Sequence, residues 1–238
     1  MVTSDDIVVV SHDPEINATI CSGPKPGVAI RGLTLAELRE YDCGSKRNPL
    51  FPAQVPVPGA RVPTLDEVFD LGRGNTVQFN VEAKIFADHP ELTPGPEAFA
   101  QLILDLIRKH GVEQRVILQS FDPRILRAMN RLDSKKVDPG IRRAALFETD
   151  RDWLETAREF EATICGPEFH LVMPERVAQA HAAGLEVIPW TVNDPADWAR
   201  MADAGVDGII SDDPAQLIAW LREKGLRFQN RMASSAYG

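Results

Sequence analysis

Short apolar segments alternate with amphipathic segments from residue 76 onward, and this alternation restricts the fold more than any other feature of the chain. Each unit of a predicted strand and a predicted helix spans roughly 20–35 residues. The predicted strands are 76–82, 115–120, 142–148, 162–166, 186–192 and 207–211. The predicted helices are 96–110, 123–132, 150–160, 174–183, 195–204 and 214–224. Strict alternation of short apolar strands with helices predicts an α/β protein with a parallel sheet and helices outside it.

Polar side chains cluster where these predicted strands end. The residues concerned are Glu82, Lys84, Gln119, Ser120, Glu168, Trp190, Asn193, Asp212 and Asp213. In a TIM-type (β/α)8 barrel, the carboxyl ends of the strands carry the active site. A doubly wound sheet is disfavoured because no glycine-rich phosphate fingerprint follows the first strand. We therefore predict a barrel, although Pro189 is unfavourable inside a central strand.

The residues before this regular part predict a strand, an insert and two capped helices. The apolar run 7–10 predicts a strand that ends at His12. Residues 21–63 are rich in proline and glycine, and a loop of this length in a compact domain is usually functional. Helices are expected to start at Thr34 and Thr64, each followed by a glutamate in a capping box. We predict one barrel domain over 1–226, with the insert 21–63 over the active-site face and a frayed tail over 227–238.

Charge and cysteine content limit the class of protein. The net charge of −9 disfavours nucleic acid and anionic membrane surfaces as partners. No apolar run has the length of a membrane span. The three cysteines fit no zinc motif, and Cys21 and Cys43 either pair or remain free thiols.

Glu82 and Lys84 form the first candidate site. They are two residues apart at the end of a predicted strand, so their side chains are expected on the same side. An acid beside a base suits a metal ion and an anionic substrate, and a simple ion pair is the competing interpretation. His12 ends another predicted strand; a lone histidine is more often structural, but its proton can move near neutral pH.

Seven segments in chain order resemble the glycerophosphodiester phosphodiesterases. They are VTSDDIVVVSHDP, RGLTLAEL, VPTLDEVF, FNVEAK, LQSFDP, IPWTVN and GVDGIISDDP. The resemblance implies a β/α barrel that uses a divalent metal ion, commonly calcium or magnesium. It also implies cleavage of a small-molecule glycerophosphodiester to glycerol 3-phosphate and an alcohol.

The resemblance assigns a role to six residues. His12 matches the second of the family's two catalytic histidines, Glu82 a metal ligand, and Lys84 a lysine that holds the phosphate. Substrate-binding positions are implied for Gln119, Phe121 and Trp190. The other histidines are predicted to be ordinary loop or helix residues; they are His89, His110, His170 and His181.

One part of the family pattern has no counterpart in these 238 residues. It comprises a first strand with His-Arg-Gly and a second strand with Glu-x-Asp, roughly 45–60 residues in a barrel of this type. The resemblance therefore implies an N-terminally truncated member with an incomplete barrel, lacking the first βα unit and most of the second strand.

Three hypotheses about function stay open. In the first, the natural protein is a phosphodiesterase and this chain is a shortened record of it. In the second, the chain is an inactive barrel remnant that binds phosphate ligands weakly. In the third, it is another barrel enzyme, such as a glycosidase. The third lacks two well-placed strand-end acids. The first is favoured, and the 238-residue chain by itself is then expected to be poorly soluble and to lack turnover. Relatives with such an insert are often exported, so the resemblance favours an extracytoplasmic, for example periplasmic, location, with a cytoplasmic one left open.

Overall fold

The structure, a computed structural model, describes residues 1–133 and 140–226. The chain divides into two compact units. The first contains Met1–Ile117 and Arg127–Ile141, and the second contains Leu118–Leu126 and Arg142–Gly238. The tail 227–238, predicted to be frayed, lies outside the described residues.

The first unit contains the predicted capped helices. Its elements are α1 (Leu35–Leu38), α2 (Leu65–Asp70), β1 (Phe79–Glu82) and α3 (Pro96–His110). Thr34 and Thr64 cap α1 and α2, each with the predicted capping box. Gly111 ends α3 in the left-handed conformation, with φ of 62°, which glycine adopts without steric cost. β2 (Val116–Ser120) and α4 (Pro123–Asp133) each belong partly to both units.

The predicted strand 7–10 is wrong as a sheet strand. Val8 and Val9 form only isolated antiparallel bridges, to Val2 and to Thr64. The amide of Val10 donates to the carbonyl of Pro63, 2.8 Å away. Because these partners belong to irregular segments, the ladder does not extend. The segment is nevertheless held on both sides, which fixes the start of the His12 loop.

The insert is packed onto this segment by an apolar cluster. Val9 and Ile16 are buried with Ile30, Leu38 and other residues of the insert. Cys21 and Cys43 are joined in a disulfide bond, so the paired alternative holds. The insert and the His12 segment therefore share one core.

The remaining cysteine, Cys165, is buried, and burial raises the pKa of its thiol to about 12.

The second unit contains most of the predicted βα repeats. Its elements are β3 (Arg142–Phe147), α5 (Trp153–Phe160), β4 (Ile164–Pro167), α6 (Pro174–Ala182), β5 (Glu186–Val187), α7 (Pro195–Asp203) and α8 (Pro214–Glu223). β3 and β4 pair in parallel with Ala144 opposite Ile164, and β4 and β5 with Cys165 opposite Val187. The prediction of an α/β fold with a parallel sheet is confirmed.

One predicted strand is shorter than expected, and another does not form. β5 stops at Val187, and residues 207–211 are not a regular strand. Pro189 has no N–H to donate, but the amides of Ile188 and Trp190 on either side of it still donate to the carbonyls of Cys165 and Pro167. Backbone hydrogen bonds still connect the two segments, from Ile210 to Pro189 and from Val192 to Ile210. The described residues contain five strands, fewer than the eight of a closed barrel, so the prediction of an incomplete barrel is confirmed. None of the described helices has both the length and the apolar character of a membrane span.

His110, predicted to be an ordinary helix residue, is buried between two acids of α2. Its ring is 4% exposed, with Nε2 2.7 Å from Asp66 and Nδ1 3.4 Å from Asp70. Lys109 reaches the same Asp66 oxygen at 2.7 Å. Chiefly because Lys109 donates this hydrogen bond, and also because His110 does, the pKa of Asp66 is held below its ordinary value. The cluster ties α2 to α3.

We expect His110→Ala to lower the free energy of unfolding near neutral pH by about 2 kcal/mol, because hydrogen bonds to charged groups are lost. A carboxyl group with a lowered folded-state pKa, such as Asp66, stabilises above its unfolded pKa of about 4, and this contribution disappears as the pH falls through the folded pKa. The difference between wild type and variant should therefore narrow in acid. Thermal unfolding, followed by circular dichroism at neutral and acid pH, measures this difference in stability between wild type and variant. His89→Ala, which removes a ring that is 67% exposed, is the control. A loss of unfolding free energy in His110→Ala that is equal at both pH values would contradict the role of Asp66 and Asp70.

Candidate active site

His12 lies in the first unit, in the loop that follows the bridged segment 7–10. Its side chain is 81% exposed. The Ser11 hydroxyl donates to the carbonyl of Asp13 at 3.0 Å, which tightens the turn. The carbonyl of Pro14 accepts from the amide of Ile30 at 2.8 Å, so the loop is attached to the insert. A solvent-accessible imidazole is thus presented by a loop with fixed ends.

Both ring nitrogens of His12 have partners. Nδ1 lies 2.8 Å from Asp13 Oδ1, and Nε2 lies 2.8 Å from Lys84 Nζ. An ammonium group only donates, so Nε2 is assigned as the acceptor and Nδ1 as the protonated nitrogen that donates to Asp13. The hydrogen bond from His12 is the main reason that the pKa of Asp13 is lowered. The lone pair of Nε2 is therefore directed towards Lys84.

Asp13 is in turn held by Asn17, whose side-chain amide donates to Asp13 Oδ2 at 3.1 Å. Asp13 and Asn17 were not predicted as site residues. The available signal was the acid directly after His12 and the amide four residues later. A carboxylate that orients an imidazole and fixes its tautomer is a common partner of a proton-transferring histidine.

Glu82 and Lys84 lie side by side at the end of β1, as their spacing predicted. Lys84 Nζ is 3.8 Å from Glu82 Oε1, and both side chains are mostly buried. Glu82 Oε1 is buried and accepts no hydrogen bond from the described residues. A buried carboxylate oxygen without a donor is a suitable ligand for a hard cation. The arrangement therefore combines an ammonium group, an imidazole and a carboxylate oxygen within one small region of the first unit.

The other three predicted site residues lie in the second unit. The rings of Phe121 and Trp190 meet edge to face, with centroids 5.3 Å apart. The Trp190 indole N–H donates to the carbonyl of Gly166 at 2.7 Å, which fixes the orientation of that ring. Phe121 is exposed, whereas Gln119 is buried at the end of β2. The structure brings Phe121 and Trp190 together as one aromatic surface.

Further strand-end polar residues of the second unit pair with one another. Glu168 accepts from the backbone and the ring of His170. Asn193 donates to Asp212 at 2.7 Å. Asp213 caps α8 through the amide of Gln216, so it is a helix cap.

The described residues do not include a group of three or more histidine, cysteine, aspartate or glutamate side chains placed to hold a metal ion. Glu82 fits such an ion as a single ligand. Magnesium is commonly bound through one or two carboxylates, substrate phosphate oxygens and water. The residues of the first unit are therefore compatible with a site that is completed by substrate and solvent.

Comparison with known proteins agrees with the resemblance seen in the sequence. Residues 1–216 match the sequence profile of the glycerophosphoryl diester phosphodiesterase family. A glycerophosphodiester phosphodiesterase from Caldanaerobacter subterraneus subsp. tengcongensis is 33% identical over 225 residues, which cover 94% of this chain and 84% of that protein.

Two solved structures share the fold. An inferred glycerophosphoryl diester phosphodiesterase from Silicibacter pomeroyi matches with a TM-score of 0.84 and 26% identity, over 96% of this chain and 83% of that one. A phosphodiesterase from Oleispira antarctica, solved in complex with the product sn-glycerol-3-phosphate, matches with a TM-score of 0.76 and 21% identity, over 93% and 82% of the two chains. The chain therefore belongs to the glycerophosphoryl diester phosphodiesterase family of phosphoric diester hydrolases, and its incomplete α/β barrel is a variant of the fold of that family.

Proposed function

We propose that the protein hydrolyses glycerophosphodiesters to glycerol 3-phosphate and an alcohol. The observation that carries the proposal is the contact of His12 Nε2 with Lys84 Nζ at 2.8 Å, next to the buried Glu82 carboxylate. Family membership supports the same reaction class. The product seen with the structurally similar phosphodiesterase of Oleispira antarctica is the one expected here.

Lys84 and His12 divide the chemistry between charge and proton transfer. A phosphodiester is an anion, and the Lys84 ammonium group offsets the charge that develops on its oxygens in the transition state. With Lys84 Nζ turned from Nε2 to the phosphate, the neutral His12 ring accepts a proton at Nε2 from the attacking hydroxyl or, once protonated there, donates it to the departing alkoxide. Asp13 keeps the proton of the neutral ring on Nδ1. The net reaction consumes one water, breaks the bond between phosphorus and the alcohol oxygen, and leaves the phosphate on glycerol.

We assign Glu82 as the protein ligand of a divalent cation, calcium or magnesium. The buried oxygen Oε1, which accepts no hydrogen bond from the described residues, supports this role. When bound, such an ion supplies positive charge to the phosphate oxygens and adds to the effect of Lys84. Because few protein ligands are in place, we expect millimolar rather than micromolar metal affinity.

The substrate-binding roles remain proposals for the second unit. For the second unit by itself, we propose that the rings of Phe121 and Trp190, which meet edge to face, bind substrate through an apolar surface and that Gln119 contributes to binding. The insert 21–63, which shares a core with the His12 segment, is proposed to cover the site and to select the alcohol.

A second candidate is a module that binds phosphodiesters without turnover. It is the sequence-based expectation for the 238-residue chain by itself. The absence of a three-residue metal cluster from the described residues favours it. It predicts the same contacts to the phosphate and no product.

Phosphorus NMR of glycerophosphocholine with the purified chain separates the two candidates. Although the sequence by itself predicts no turnover for this chain, His12 lies 2.8 Å from Lys84 beside Glu82. We therefore expect the signal of glycerol 3-phosphate to appear with millimolar calcium or magnesium and to be absent with EDTA. Substrate signals that shift or broaden without product would support the binding module. Phosphocholine as the product would contradict the proposed point of cleavage.

A further inference from the structure

The insert carries an exposed apolar loop whose side chains have no assigned role at the phosphate. We call residues 44–60 the insert loop. Leu50 is 80% exposed and Val55 is 79% exposed, and Phe51 and Val57 are exposed as well. Clustered exposed apolar side chains on a soluble protein usually indicate an interaction surface.

The base of the insert loop is held in a defined conformation. Backbone amides of Cys43 and Val57 donate across the base to the carbonyls of Ala60 and Gly44, each at 2.8 Å. A side chain at Gly44 would lie 2.0 Å from the carbonyl oxygen of Val57, so only glycine allows this approach. The Cys21–Cys43 disulfide is adjacent.

The carboxylate of Asp42, which precedes the insert loop, stabilises the base of that loop by hydrogen bonds. It accepts hydrogen bonds from Gly44, Ser45 and Gly59, and these bonds, led by the Ser45 hydroxyl, hold its pKa well below the ordinary value. Four prolines restrict the loop further; they are Pro49, Pro52, Pro56 and Pro58. The loop therefore presents its apolar tip with little conformational freedom left to lose on binding.

The charge of this part of the chain is opposite to that of the whole protein. No aspartate or glutamate occurs between residues 43 and 65, whereas Lys46, Arg47 and Arg61 are positive. Lys46 and Arg47 donate to backbone carbonyls rather than to carboxylates. Their positive charge therefore remains available to an anionic partner.

We propose that the insert loop docks the protein on a phospholipid surface. The apolar tip enters the interfacial region while Lys46 and Arg47 lie at the level of the lipid phosphates, which is the usual division between apolar and cationic groups at membranes. The net charge of −9 opposes adsorption of the protein as a whole. That repulsion is screened beyond about 10 Å, so the local cations decide the contact.

A lipid surface suits the loop better than a protein partner. A stable protein interface needs about 800 Å² from each side, whereas the exposed apolar groups lie on one narrow loop. The loop is also attached to the candidate active site: Lys46 Nζ donates to the carbonyl of Ala18, next to Asn17, which holds Asp13. Docking would therefore place the His12 end of the first unit near the surface from which glycerophosphodiesters derive. Only the inference that docking brings the candidate active site close to its substrates rests on the proposed function.

Vesicle sedimentation tests the docking. Vesicles of phosphatidylcholine mixed with phosphatidylglycerol should bind the wild-type chain, and pure phosphatidylcholine should bind it more weakly. Leu50→Ser/Val55→Ser should lower the partition coefficient at least about tenfold, because two apolar side chains lose their transfer from water. Arg47→Gln should weaken binding about fivefold and only to the anionic vesicles.

Leu71→Ser is the matched control, because Leu71 is 74% exposed in the same unit but lies outside the loop; it should bind like wild type. The proposal is overturned if wild type binds neither vesicle, if the double variant binds as well as wild type, or if Leu71→Ser loses as much. It is also overturned if light scattering shows a dimer that the double variant dissociates. Hydrolysis of water-soluble glycerophosphocholine by the wild type and by Leu71→Ser, which should leave it unchanged, is measured in parallel. A protein that binds vesicles without hydrolysis would refute the proposed function alone.

Discussion

His12→Ala should lower kcat/KM for glycerophosphocholine by about 10²–10⁴-fold, the usual contribution of a proton-transferring side chain. The loss should fall on kcat, because the ring moves a proton in the transition state and Lys84 still binds the phosphate. The His12 side chain is 81% exposed, so the thermal midpoint should not change. Initial rates of glycerol 3-phosphate release, measured with a coupled assay, give the comparison.

The matched control is His89→Ala, which removes another exposed imidazole of the first unit. Its kinetics should equal those of the wild type. Turnover by His12→Ala within a factor of two or so of wild type would refute the proton-transfer role. A fall in the thermal midpoint with unchanged kinetics would instead show that His12 is a structural residue.

Local sequence signals predicted the helices well. Thr34 and Thr64 start helices with capping boxes, and Gly111 ends α3 in a left-handed conformation. These signals act over three or four residues, so they can be read from the chain alone. The Asp213 cap of α8 acts over the same short range.

Strand pairing was less predictable because it depends on distant partners. The apolar run 7–10 has the composition of a strand, but its neighbours are single residues such as Val2 and Thr64. Likewise β5 ends at Val187, although Ile188 and Trp190 still donate to the carbonyls of Cys165 and Pro167. Composition indicates that a segment can be extended, and only the fold decides whether a ladder forms.

In the candidate site, too, local spacing predicted some contacts and carried no information about others. The period of a strand predicted that Glu82 and Lys84 would be neighbours, and they are 3.8 Å apart. The contact of His12 with Lys84 joins residues that are 72 positions apart, and spacing carries no information about it. The resemblance to a family, rather than any local pattern, brought these residues together before the structure was known. The supporting pair Asp13 and Asn17 was missed because hydrogen bonds behind a functional side chain leave little trace in sequence.

The Lys84→Met variant tests whether the Lys84 ammonium group stabilises the substrate phosphate or only pairs with the Glu82 carboxylate. If the ammonium group stabilises the charge on the phosphate, its loss should lower kcat/KM by about 10²–10³-fold, as for other groups that stabilise a developing oxyanion. KM should rise as well, because the ground-state diester is already an anion. Lys109→Met is the matched control, since Lys109 pairs with Asp66 in the same unit and should leave the kinetics unchanged.

A double variant separates stability from chemistry at this position. Lys84→Met alone leaves the mostly buried Glu82 carboxylate without its cation, which should lower the thermal midpoint to some extent. Lys84→Met/Glu82→Gln removes the charge left behind, so it should recover the midpoint while activity stays at least as low as in the single variant. Kinetics that return to wild-type values together with the midpoint would mean that Lys84 and Glu82 form an ion pair at a strand end and nothing more. Recovery of stability without activity would place both charges in the chemistry of the phosphodiester.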